Sequence, residues 1–73
     1  MYIDKAYDQR EDLSDRDLER LLVALRDEVE RYRYTIRNYP PDRMEKHGKP
    51  FLAKLEERVA VVKRVVESRG LQS

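Results

Sequence analysis

Between Ser14 and Tyr39, Leu18, Leu22, Leu25, Val29, Tyr32, Ile36 and Tyr39 follow one another at gaps of 4, 3, 4, 3, 4 and 3. An average of about 3.5 residues is the spacing at which an α-helix keeps one apolar seam turned toward a partner helix. The start of this helix is marked three times. Ser14 can cap the first turn with its hydroxyl, Asp17 stands at the acidic position of a capping box, and Leu13 and Leu18 occupy the two positions of a hydrophobic staple. Leu21 falls within the seam's sector, whereas Val23 and Tyr34 point nearly the opposite way. Asp27 and Arg31 form a favourably oriented i,i+4 pair, worth about 0.2–0.5 kcal/mol. The helix has to stop near Asn38, because Pro40 disfavours α geometry at Tyr39 and Pro41 extends the break.

A one-sided helix needs a partner, and the chain contains one. Leu52, Leu55, Val59, Val62 and Val66 recur at gaps of 3, 4, 3 and 4. The spacing predicts a second helix from near Pro50, which is well placed at a first helical position. Gly70 suits a left-handed terminus, and Leu71 is placed to touch Val66 in a Schellman-type cap. The connection, PPDRMEKHGKP, is long for a helical hairpin. It predicts a short helical turn capped by Asp42, with Glu45 at the capping-box position and Gly48 ending the turn. The expected fold is all-α: an antiparallel helical hairpin over residues 14–71, preceded by an N-terminal arm over residues 1–13. In the arm, Tyr2, Ile3, Ala6 and Tyr7 give one apolar edge, but Asp4, Lys5 and Asp8 leave little to pack. A partly ordered tail whose tyrosines lie across the bundle is expected there.

Size then sets a constraint. A chain of 73 residues seldom gets more than about 3–5 kcal/mol from its own core and needs disulfides, a metal, association or very regular packing. There is no cysteine and a single histidine, His47, so no disulfide or structural zinc site is expected and a reducing cytoplasm is the natural compartment. No cofactor is implied. No apolar run approaches the roughly 18 residues of a membrane span, and the first twelve residues hold no hydrophobic signal core. Charged residues make up 42% of the chain, but the 40% that are hydrophobic stand at helical spacing, which argues against disorder.

Association remains. Phe51, Val61 and Val65 widen the apolar face of the second helix, and five valines in the eight residues from Val59 to Val66 cost helix propensity that packing has to offset. Phe51, Leu55, Val61, Val62 and Val65 are therefore the expected oligomer interface, completing a helical bundle by self-association.

The net charge of +1 covers an uneven distribution: residues 1–30 hold ten acids and five bases, residues 31–54 seven bases and two acids. A polarised surface follows if the fold keeps those segments apart. The basic stretch includes Arg31 and Lys54, and within it Arg33, Tyr34, Arg37, Arg43, Lys46, His47 and Lys49 are the candidate contacts for an anion or a partner. Guanidinium forks and aromatic faces are what a phosphate-bearing ligand needs. The blander reading is that cations near a helix C-terminus complement its macrodipole, while Tyr32 and Tyr39 belong to the seam. If Arg31, Arg33 and Arg37 pair with Asp27, Glu28 and Glu30, the basic end is structural. If they fan out with Tyr34, binding gains weight.

Catalytic constellations are sparse. No glycine-rich phosphate loop, HExxH or calcium-loop spacing is present, and Glu56 and Glu57, adjacent on a helix, point about 100° apart. The long helix with its LRDEVE segment superficially resembles those of chorismate mutases, but the chain is too short for that family's set of helices and no function carries over. The expected function is that of a non-enzymatic interaction module, a homo-oligomeric regulator, adaptor or inhibitor of a larger protein, as some phage-encoded inhibitors are. The alternative is an oligomeric binder of nucleic acid or a small nucleotide through the Arg/Tyr-rich end.

Overall fold

A computed structural model describes residues 2–71 of the chain, with the side chain of Tyr2 lying outside the description. Helix α1 spans Tyr2–Asp8, and a single 3-10 turn follows at Arg10–Asp12. Helix α2 spans Asp15–Ile36. A three-residue helical turn α3, Pro41–Arg43, passes through a π-helical segment, Met44–Gly48, into helix α4, Lys49–Ser68. Helices α2 and α4 pack against each other as an antiparallel helical hairpin, and the described residues hold no strand.

The boundaries of α2 follow the sequence signals. The Ser14 hydroxyl accepts the Asp17 backbone N–H at 3.2 Å. The helix ends at Ile36, ahead of the two prolines. At the other end of the hairpin the Schellman cap is complete: Leu71 N–H donates to Val66 O at 3.1 Å and Gly70 N–H to Glu67 O at 3.0 Å. Gly70 has φ of +77°, the left-handed region that glycine enters without strain.

Leu18, Leu21, Leu22 and Leu25 of α2 meet Val62 and Val66 of α4 in one buried cluster. Val29, Ile36 and Leu55 are buried further along the hairpin. The two seams therefore face each other, as their matched periodicities require.

Residues 2–13 correct the expectation of a partly ordered tail. Helix α1 packs on the hairpin and contributes buried Ala6 to the central cluster, with Ile3, Tyr7 and Leu13 packed against it. A small side chain suffices because it lets the helix backbone approach the groove closely. Asp4 is 2.9 Å from Arg58 of α4, and the ring of Tyr7 lies between the guanidiniums of Arg10 and Arg58, at 4.5 and 5.1 Å.

The connection differs as well. Gly48 does not end a helix. It is buried in right-handed helical geometry, φ −63° and ψ −60°. No side-chain cap forms at the start of the turn, where Pro40 occupies the N-cap position rather than Asp42. The second rod runs without a break from Pro41 to Ser68, and it accommodates Pro50 by widening: Lys49 N–H donates to Met44 O, one residue beyond α register. A proline removes an N–H and crowds the carbonyl a turn before it, and a π turn is a recognised way to absorb that. Gly48 is closely packed, and a larger residue there would have to displace the end of the Met44 side chain. A Cβ there would come within 2.7 Å of Met44 Sδ and 3.5 Å of both Ile36 Cδ1 and Tyr39 Cδ2.

The hairpin also mixes charges that the sequence separates. Basic residues of α4 and its C-cap return alongside the acidic N-terminal third, where Arg58 pairs with Asp4 and Arg69 with Asp15. The polarity of the linear sequence is thereby softened along the rod, whose principal extents are 41 × 23 × 16 Å.

Candidate functional site

Two regions of the surface carry features beyond those a helical hairpin needs. One is the apex, where α2 ends and α3 begins. The seven residues singled out there from sequence divide into two groups.

The first group is engaged within the fold. Arg33 is 3.0 Å from Glu30 on its own helix and 2.6 Å from Glu56 on α4. Lys49 is 2.6 Å from Glu45, one turn earlier. Arg31, lower on α2, is 2.9 Å from Asp27. These pairs are exposed, so each contributes little to stability. Their consequence is local neutrality.

The second group is not engaged in this way. Among the described residues, Arg37, Arg43 and Lys46 make no ion pair and no side-chain hydrogen bond. Arg37 instead lies over the ring of Tyr34, its Cζ 4.3 Å from the centroid, and Arg43 lies over Tyr39 at 4.4 Å. Tyr34 is 67% exposed. Tyr39, Asp42, Arg43, Lys46 and His47 line an open concavity on the apex. Beneath it, the hydroxyl of Tyr32 donates to the His47 carbonyl at 3.5 Å. The Tyr32 phenol is held above its ordinary pKa by desolvation first and by neighbouring Tyr39 second, against an opposing pull from Arg43. Of the two outcomes that separate a structural from a binding role, the apex shows both: Arg31 and Arg33 are paired, and Arg37 fans out with Tyr34.

The other region is a groove between the N-terminal end of α1 and the facing sides of α2 and α4. Its apolar floor is Ile3, Tyr7, Phe51 and Leu55, and its rim carries Asp4, Glu28, Lys54, Glu57 and Arg58. Phe51 is 48% exposed and meets the ring of Tyr32 edge-on, with centroids 4.8 Å apart.

The five residues assigned to an oligomer interface are not equivalent. Leu55 and Val62 are 4% and 0% exposed, so the hairpin core has already taken them. Val65 is half-buried against the cluster that α1 completes. Phe51 and half-buried Val61 are left with accessible surface. The chain's own first helix, which sequence spacing placed outside the hairpin domain, joins the same cluster as Val62 and Val66 through Ala6. Two further connections escaped the sequence, the Asp4–Arg58 bridge and the clasp made by Arg69. Neither has a local signal, since each joins residues 54 positions apart.

Among the described residues, no helix is long and apolar enough to cross a membrane. No family model matches the chain, and neither a curated protein nor a solved structure matches it.

Proposed function

We propose that this chain is a small non-enzymatic interaction module that pairs with a second copy of itself through the Phe51 surface and acts, as a dimer, as a regulator, adaptor or inhibitor of a larger protein in the cytoplasm. One observation carries the reading: Phe51, a large aromatic residue half open to solvent on an apolar floor ringed by charges of both signs. An aromatic anchor inside a polar rim is the anatomy of a protein interface. The mixed rim, Glu28 and Glu57 with Lys54 and Arg58, favours a second copy, because a two-fold patch has to be complementary to itself.

Light scattering across a hundredfold range of concentration tests this. The wild type is expected to show a dimer whose melting temperature rises with concentration. Phe51→Glu is expected to give a monomer of unchanged helicity. A wild type that stays monomeric throughout, with a concentration-independent melt, excludes self-association through this surface.

A further inference from the structure

The apex offers a second recognition surface, separate from the Phe51 groove. The contrast among the arginines of this chain marks it out. Arg31, Arg33, Arg58 and Arg69 direct their N–H groups at carboxylates, and Arg69 also reaches backbone carbonyls. Arg10 and Arg58 also lie over a ring, that of Tyr7, but donate to the Tyr7 carbonyl and to Asp4, whereas Arg37 and Arg43 lie over Tyr34 and Tyr39 and donate to nothing among the described residues. A guanidinium held over a ring gains cation–π attraction from the ring while its own hydrogen-bond donors stay available. Both side chains are exposed, with no hydrogen-bond partner among the described residues. The result is two oriented forks with no hydrogen-bond partner among the described residues, one at the end of α2 and one in α3, where Arg43 shares its concavity with Lys46.

From this arrangement we infer that the apex docks a short acidic segment of a partner protein, with two carboxylates taken by the forks of Arg37 and Arg43 and Lys46 completing the charge. Forked guanidiniums recognise carboxylates bidentately, and holding them in place beforehand lowers the ordering cost of binding. A nucleic-acid strand fits the surroundings less well. Asp42 lines the same concavity. Below the apex, Glu45, Glu30 and Glu56 neutralise the next cations down the rod. A strand running down the rod from the apex would therefore meet Glu45, Glu30 and Glu56, whereas a segment bearing two or three acidic residues can be satisfied at the apex itself. Three contacts also give only a shallow counterion-release term, too small for firm binding to a strand at physiological salt.

Fluorescence polarisation tests the inference with three labelled probes at 150 mM salt: a twelve-residue peptide carrying four glutamates, the same peptide with glutamines, and a twelve-nucleotide thymidine strand. The glutamate peptide is expected to bind more tightly than either of the others. In the R37Q/R43Q double variant its affinity is expected to fall about tenfold or more, the loss of charge-assisted hydrogen bonds. R37K/R43K, which keeps the charge but not the fork, is expected to lose much of that affinity, and R31Q, which removes a paired cation, to retain it. Circular dichroism of each variant checks that the helices remain. No binding of the glutamate peptide, tighter binding of the strand, equal loss in R31Q, or full retention in R37K/R43K would each overturn the inference. Titrations below and above the concentration at which light scattering shows association distinguish these outcomes from failure of the dimer.

Discussion

Arg69, just past the end of α4, donates to the carbonyl of Leu13 at 2.7 Å, closing the hairpin from 56 residues away. The same guanidinium reaches Asp15 at 3.1 Å and the Glu11 carbonyl at 3.0 Å. One side chain thus joins the end of the second long helix to the 3-10 turn and to the first turn of α2. Its side chain is 25% exposed, so water competes only partly for these donors. Arg69→Ala is expected to destabilise the fold by about 1.5–3 kcal/mol, the range for hydrogen bonds made by charged groups. In a domain of this size that corresponds to a fall in melting temperature of roughly 10 °C. Arg69→Lys keeps the charge and loses the fork, and is expected to recover less than half. A melt unchanged by Arg69→Ala would show that the clasp contributes nothing.

Val62 and Val23 test the faces of the two long helices. Val62 is fully buried and Val23 is 66% exposed. Val62→Asp places an unpaired charge among leucines, and a loss of several kcal/mol is expected, enough to abolish folding in a small domain. Val23→Asp is expected to stay within about 0.5 kcal/mol. Helicity and denaturant midpoints of the two variants check this. Equal losses would mean that the outer side of α2 is buried in an assembly.

Ala6 tests whether α1 belongs to the core. It is 6% exposed in the cluster with the leucines of α2. Ala6→Asp is expected to cost about 1–3 kcal/mol, the penalty of desolvating a polar group without a partner. Because Ala6 shares its cluster with Val62 and Val66, the variant is also expected to increase binding of a hydrophobic dye. A denaturant midpoint equal to that of the wild type would mark α1 as a loose arm.

Gly70→Ala isolates the left-handed terminus. Apart from its chain neighbours, no atom of the described residues lies within 4 Å of the position a Cβ would occupy, so the cost of the substitution is conformational. A loss of about 1 kcal/mol is expected, read as a small shift in urea midpoint without a change in slope. A neutral result would mean that the last turn frays readily enough to relieve the strain.

These residues also show where the fold was legible in sequence and where it was not. The α2 seam could be read because a leucine every third or fourth residue reports its own face. Ser14 and Gly70 could be read because caps are local. Ala6 could not: an alanine gives almost no periodic signal, and its burial depends on a groove formed by residues far along the chain. Pro50 suggested a helix start. The rod continues past it through the π turn in which Lys49 N–H reaches Met44 O, and no residue pattern in the connection announces that widening. At the apex, the composition of a basic patch was visible from Arg33 to Lys49. Which cations are neutralised was not, because Arg33 meets Glu56 only once the two helices are aligned. That alignment is what separates Arg37 and Arg43 from their neighbours.

The hairpin geometry has a practical corollary. Leu71 packs against the cluster at the base of the rod, and Arg43 stands at the other end of a molecule whose long axis is 41 Å. A tether attached beyond Leu71, whether a sensor surface, a fluorophore or a fused domain, is held at the far pole from the Tyr34 and Tyr39 guanidinium pairs. Anchored in that way, the molecule presents its apex outward like the tip of a probe, and binding there can be measured without the tether crowding it.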